Sequence, residues 1–290
     1  MPQAPSSDIP VLQSVFHPTD FSPASYTAFL HALTAALTAK AKLTILHALH
    51  GRGEQWMDFP GVRETLERWG LLPKNSQRAD VSKLGIKIEK VQAIHHDPVE
   101  SVTAYLADHS ADLIVLATDQ SKGKVQWLKK SVATGVARKS HQMTLFIPKG
   151  VDGFVSHKDG SVSLKNILIP VASAPPAQPA IQAAVRMASR LHCGSGVFTL
   201  LHVGEPGHMP DVRCPELAGW RWEKITKSGD VIEVIDRTAR ETDAELVVMS
   251  TEGRNGFLDA LRGSQSERVL RQSRCPVLAI PAGGFIASVL

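Results

Sequence analysis

Cysteine is nearly absent: Cys193, Cys214 and Cys275 are the three in 290 residues. That excludes a disulfide-stapled scaffold and leaves the fold to be held by its core. Long apolar runs are missing too. No stretch reaches the ~18–20 residues needed to span a bilayer, so no membrane partner is expected. The opening MPQAPSSDIP has neither a basic n-region nor an apolar h-region. No export leader is expected, and the chain reads as cytoplasmic. Charge of one sign is scarce: 32 Lys and Arg face 28 Asp and Glu, a net charge of +4. Apart from KGKVQWLKK (122–130) the cations are scattered, which argues against a nucleic-acid partner. Neither a G-x-S-x-G elbow nor a GK[ST] phosphate loop occurs, so those routes to serine hydrolysis and nucleotide binding are closed.

What is present is a repeat. Residues 112–148 and 245–281 align at a constant offset of 133 without a gap. DLIVLATD (112–119) lies over ELVVMSTE (245–252), and Thr118, Gly123, Ser131 and Pro148 fall on Thr251, Gly256, Ser264 and Pro281. A match this long is one supersecondary unit built twice. The length allows two domains of about 145 residues each.

Each half alternates strand and helix. In the first, SVFHP (14–18), KLTILHAL (42–49), GIKIEKVQAI (85–94), DLIVLATD and TLFIP (144–148) read as strands. Helices are expected over 21–41, 98–110 and 131–140, the first opened by Ser22 and Pro23 as cap and first-turn residue. In the second, KNILIPV (165–171), GVFTLLHV (196–203), WEKITKSG (222–229), ELVVMST (245–251) and VLAIP (277–281) are strands. Helices are expected there over 178–191, 230–242 and 264–273. The first half carries about 22 extra residues between its second and third strands, among them a helix over 61–72. VDGFVSHKDGSVSL (151–164), glycine-rich and polar, reads as the linker. The pattern predicts an α/β protein of two tandem doubly wound domains, 1–150 and 161–284, each with a five-stranded parallel sheet.

The motif that carries chemistry is TEGRNGFLDALRGSQSE (251–267). It leaves a buried strand and ends at a helix start. Gly253 and Gly256 permit close backbone approach. Gly263 and Ser264 open the helix, where unpaired amides and the dipole favour an anion, and Ser264 and Ser266 add hydroxyl donors. That describes a phosphate cradle at the carboxyl edge of a parallel sheet. The alternative is a purely structural turn.

Several separate motifs, in order, resemble the universal stress protein family. They are PTDFS (18–22) after strand one, LHA and LHV after the second strands, and G-x2-G followed by GS before helix four. The likeness covers nearly the whole chain, once per half. It implies a tandem member with an adenine nucleotide alpha hydrolase-like fold, whose last strands pair antiparallel into an intramolecular pseudo-dimer. It also implies a stress-response binding and regulatory module rather than a rapid enzyme. Its ligand would be an adenine nucleotide, ATP first, with room for Mg2+ beside it and at most slow hydrolysis at Glu252.

In nucleotide-binding members an aspartate follows strand one, a valine follows strand two, and G-x2-G-x9-G-S/T holds ribose and phosphates. The first half keeps Asp20 and Gly123 but has Gln120 and Lys130 at the other glycine positions. The second keeps Val203, Gly253, Gly256, Gly263 and Ser264, with Ala172 in the aspartate position and x6 in place of x9. The second half is therefore the expected site, with the first a degenerate partner.

Other residue sets suggest other roles. His17, His47, His50, His95 and His96 fall at strand ends with Asp20 and Asp119, a plausible zinc set; His47 matching His202 argues instead for a shared structural histidine. His192, Cys193, His208 and Cys214 straddle a strand and a loop, and no base accompanies any cysteine. Trp220 and Trp222, read as loop residues flanking Arg221, would cover a ligand or pack on the other half. A non-nucleotide interaction module and a metal protein are the competing functions. A protein partner and homodimerisation stay open.

Overall fold

The computed structural model describes residues 12–48, 59–93, 98–118, 142–252, 269 and 273–282. The first half runs β1 (Ser14–Pro18), α1 (Pro23–Ala39), β2 (Lys42–Ala48), α2 (Val62–Arg68), α3 (Arg78–Lys83), β3 (Lys87–Ala93), α4 (Pro98–Asp108), β4 (Leu113–Thr118) and β5 (Met143–Pro148). The second runs β6 (Asn166–Pro170), α5 (Gln178–Arg190), β7 (Gly196–Val203), β8 (Trp220–Lys227), α6 (Val231–Glu241), β9 (Leu246–Glu252) and β10 (Val277–Ala282). The helices expected over 131–140 and 264–273 lie outside the described residues, save Val269 and Ser273.

All ten strands form one sheet in the order β3-β2-β1-β4-β5-β10-β9-β6-β7-β8. Each half is parallel within itself, and the seam is the antiparallel pair β5–β10, with Phe146 opposite Val277 and Leu145 opposite Leu278. The doubly wound halves and their intramolecular pseudo-dimer are thus present, fused into a single sheet.

Strand alternation sorts the core into two layers. Val15, Ile45 and Val115 pack with α1, α2 and α5 on one face. Phe16, Leu46 and Ile114 pack with α4 and α6 on the other. Apolar residues on both faces are what a parallel sheet covered on both sides demands. Local rules set the ends. Ser22 accepts the Ser25 N–H at the start of α1, Pro23 sits in its first turn, and Lys40 closes it in the left-handed conformation at φ 53°. Asp230 caps α6 by accepting from the Ile232 and Glu233 amides.

Both halves use one acid to fasten the start of the first strand. Asp112 accepts from the amides of Gln13 and Ser14, each at 2.8 Å. Glu245, its repeat counterpart, accepts from those of Lys165 and Asn166.

Three expectations change. The extra stretch of the first half holds two helices, α2 and α3, not one; α3 is opened by Gln77, whose N–H donates to the Asp80 carboxylate at 2.7 Å. Trp220 and Trp222 belong to β8, not to a loop, the strand starting two residues before the 222–229 expected. Both stack on Phe198 of their own half, with ring centres 4.3 and 4.5 Å away. Their indole N–H groups donate to the carbonyls of Cys193 and Pro215.

The segment read as a polar linker is a packed strap. Phe154, Val155 and Leu164 are buried, and Val155 bridges Val162. The His157 carbonyl accepts from Arg68 Nε at 3.0 Å and Trp69 Nε1 at 3.4 Å. The Phe154 N–H donates to Nε2 of buried His31 at 3.1 Å. Gly153 makes that approach at φ +72°, and a Cβ there would meet His31 Nε2 at 2.3 Å. Gly153→Ala is expected to cost about 2–3 kcal/mol from left-handed strain and the clash together. Urea unfolding checks this; a change below about 0.5 kcal/mol would mean that the strap contributes little.

Candidate functional site

In an open α/β sheet, ligands bind beyond the carboxyl ends of the strands where the strand order reverses. That point lies between β1 and β4 in the first half and between β6 and β9 in the second.

In the second half, β6 ends at Pro170 and the next residue ties it to its neighbour. The Val171 N–H donates to the Leu201 carbonyl at 2.8 Å, and the Val171 carbonyl accepts from His202 Nδ1 at 3.0 Å. Ala172, Ser173 and Ala174 follow, all exposed. Val203 stands half-buried at the last position of β7. Gly204 comes next, and a Cβ on it would sit 2.6 Å from His202 Nε2. At the end of β9, Thr251 is buried with its hydroxyl on the Ile280 carbonyl at 3.4 Å, and Ser250 Oγ is buried without a partner among the described residues. Backbone and small residues therefore form this edge. Gly253, Gly256, Gly263, Ser264 and Ser266 lie outside the described residues; the strand that delivers them is seen up to Glu252.

The first half builds the same edge and then covers it. His47 Nδ1 donates to the Thr19 carbonyl at 2.8 Å, the counterpart of the His202 bond. The histidine shared by the two repeats is thus a clamp on the residue after strand one. Asp20 is exposed, and its carboxylate accepts the Ser22 N–H at 3.0 Å, which shapes the turn into α1. Phe21 then adopts φ 60°, unusual for a bulky residue. Its ring stacks on His47 at 3.9 Å and meets Phe59 edge-on at 5.3 Å. The second half has Ser173 where Phe21 stands. Sequence reasoning missed this aromatic cover; its one signal was a phenylalanine directly after Asp20.

His17 is fully buried in β1, and its Nδ1 donates to the Val115 carbonyl at 2.9 Å. Burial pulls its pKa down to about 4, so the ring is neutral. His50, His95, His96 and Asp119 lie outside the described residues. Among the described residues no group of three or more His, Cys, Asp or Glu could hold a metal ion. Burial pushes the thiols of Cys193 and Cys275 up to about 11, which leaves both protonated at neutral pH and poor nucleophiles. Among the described residues no helix is long and apolar enough to cross a membrane.

The family model described as "Universal stress protein family" matches residues 13–148 and 213–281. Universal stress protein Rv2623 of Mycobacterium tuberculosis is 25% identical over 283 residues, covering 89% of this chain and 93% of that protein. A universal stress protein structure from Archaeoglobus fulgidus superposes with a TM-score of 0.59 at 20% identity, over 93% of this chain and 98% of that one. A structure described as a putative universal stress protein from Pseudomonas aeruginosa gives 0.61 at 15% identity, over 95% of each chain.

Proposed function

Since this chain belongs to the universal stress protein family, we propose that it is a regulatory binding protein whose second half holds an adenine nucleotide, ATP in the first instance. The observation that carries the reading is Gly253-x2-Gly256-x6-Gly263-Ser264, which follows directly on β9 beside the point where the strand order reverses. Phosphates would rest on the amides around Gly263 and Ser264, with the Ser266 hydroxyl nearby. The ribose would meet the Gly253–Gly256 turn, and the base would lie against Val203.

The open edge at Ala172 and Ser173 supports the choice of half, because Phe21 covers the equivalent place in the first. Ala172 removes one anchor for the adenosine. The family match resumes only at residue 213 in this half, in keeping with an altered adenosine end. No step of hydrolysis is assigned. Bound nucleotide would change the surface that residues 253–264 offer to a partner protein.

The test is the nucleotide content of purified protein, then titration of the stripped chain with ATP. One nucleotide per chain is expected, with binding abolished by Gly263→Leu and strengthened about tenfold by Ala172→Asp, through a charge-assisted hydrogen bond to the ribose. No bound nucleotide, and no response at millimolar ATP, would overturn the reading in favour of a protein-interaction module.

A further inference from the structure

The extra stretch of the first half builds a concavity that the repeat does not require. β3 is the outermost strand of the sheet. Helices α2 and α3 pack beside it, with Val62, Leu66 and Val81 in the core layer of α1 and Ile88 of β3 joining them. Between these three elements opens a pocket of about 610 Å3, with Val62, Val81 and Ile88 as its apolar lining. In the second half, residues 204–219 join β7 to β8 without a helix, so nothing equivalent to α2 and α3 stands there.

The charged groups around the pocket are Arg63 and Glu64 of α2, Arg78 of α3, and Glu89 and Lys90 of β3. Both acids are committed. Glu64 accepts from Arg63 Nη2 at 3.1 Å. Glu89 pairs with Lys42 and accepts from the Tyr105 hydroxyl at 3.1 Å and the Thr44 hydroxyl at 3.3 Å. Two of the cations are not committed. Among the described residues, neither Arg78 nor Lys90 has a carboxylate within ion-pair distance. Lys90 is half-buried, with its ammonium 5.7 Å from the centre of the Phe59 ring. Burial lowers its pKa and the Arg78 charge adds to that, with Glu64 opposing. A partly desolvated ammonium beside a guanidinium is an unfavourable pair, and an anion placed between them relieves both.

We infer that this pocket binds a small organic phosphate, with its phosphate between Arg78 and Lys90 and its apolar body on Val62, Val81 and Ile88. Two unmatched cations balance the two charges of a phosphate monoester, and a guanidinium offers its oxygens a fork of donors. The volume falls within the ~300–1,000 Å3 of small-molecule sites and far exceeds a bare phosphate, so the body takes part in recognition. The site shares no residue with the nucleotide edge of the second half, so either stands if the other fails.

Titration calorimetry on the full chain with phenyl phosphate, inorganic phosphate and benzoate tests it. Phenyl phosphate is expected to bind one per chain. Inorganic phosphate, which lacks the body, and benzoate, which has one charge, should each bind at least fivefold more weakly. Lys90→Gln should weaken phenyl phosphate about tenfold, because the lost charge is half-buried. Arg78→Gln should weaken it about fivefold, at an exposed position that does not threaten folding. Gly263→Leu should leave this binding unchanged, as should Lys74→Gln, an exposed cation outside the pocket. No saturable binding of phenyl phosphate at low millimolar concentration overturns the inference. Inorganic phosphate binding as tightly as the ester, or Lys74→Gln weakening it as much as Arg78→Gln, overturns it equally, since either would report charge attraction alone.

Discussion

Lowering the pH from 7 to 5 is expected to cost the folded chain about 4 kcal/mol, about 2 from each of two buried histidines. His17 lies in β1 with its Nδ1–H on the Val115 carbonyl. His31 lies in α1 with its Nδ1–H on the Thr27 carbonyl, while its Nε2 accepts the Phe154 N–H of the strap. Burial is the main cause that lowers both from 6.5 to about 4, outweighing the bonds to the Val115 and Thr27 carbonyls, which favour the charged ring. The unfolded chain takes up protons as the pH passes 6.5, and the folded chain refuses them until about 4. Stability is therefore full above 6.5 and falls steadily across the interval below it. Carboxylates stay out of the upper part of that window, because their ordinary values are 3.8 and 4.5. His31 adds a local effect: once protonated, its Nε2 can no longer accept, and the strap loses its anchor. Urea unfolding at both pH values measures the loss. His31→Gln and His17→Asn should each halve it. Equal unfolding free energies at pH 7 and pH 5 would mean that these rings titrate freely in the folded chain.

The sheet was legible because its signals are local and repeated. The runs at 14–18 and 196–203 coincide with β1 and β7, since a doubly covered parallel strand must be apolar throughout. Seeing the second copy fixed the order of elements. The strap was not legible. Phe154, Val155 and Leu164 are three apolar residues with no periodicity among glycines and charges, and the strap's contacts, His31 and Trp69, come from distant elements. Helix α3 escaped because six residues cannot show a helical period and its cap uses Gln77 and Asp80 rather than a serine. Trp220 and Trp222 do follow the two-residue strand period; the intervening Arg221 concealed it, although its side chain lies on the open face and pairs with Glu223. At the candidate site the glycine spacing is explicit in the sequence. The Phe21 cover is not, because it depends on a left-handed backbone at a bulky residue and on Phe59, brought in from far along the chain.

Cutting Leu145 or Leu278 to alanine is expected to destabilise the whole chain by about 3 kcal/mol each, in one transition. The two side chains oppose each other across the antiparallel seam and are 2% and 1% exposed. Both belong to the core that runs through α1 and α5 alike. Two-domain chains ordinarily unfold in separable steps, so a single transition is the discriminating result. The reason to expect it is the seam. Apart, β5 and β10 would each become an uncovered, fully apolar sheet edge, which is an aggregation hazard. Neither half then has an independent native state to retreat to. Because the two leucines touch one another's environment, the double variant should lose less than the sum of the singles, by about 0.5–1 kcal/mol. Calorimetry and urea unfolding followed by two probes would decide the matter: tryptophan emission weighted to Trp220 and Trp222, and far-ultraviolet dichroism reporting all helices. Coincident curves that shift together fit a shared core. Two transitions, of which each variant moves only one, would show that the halves fold independently and that the pairing of β5 with β10 is a contact rather than a core.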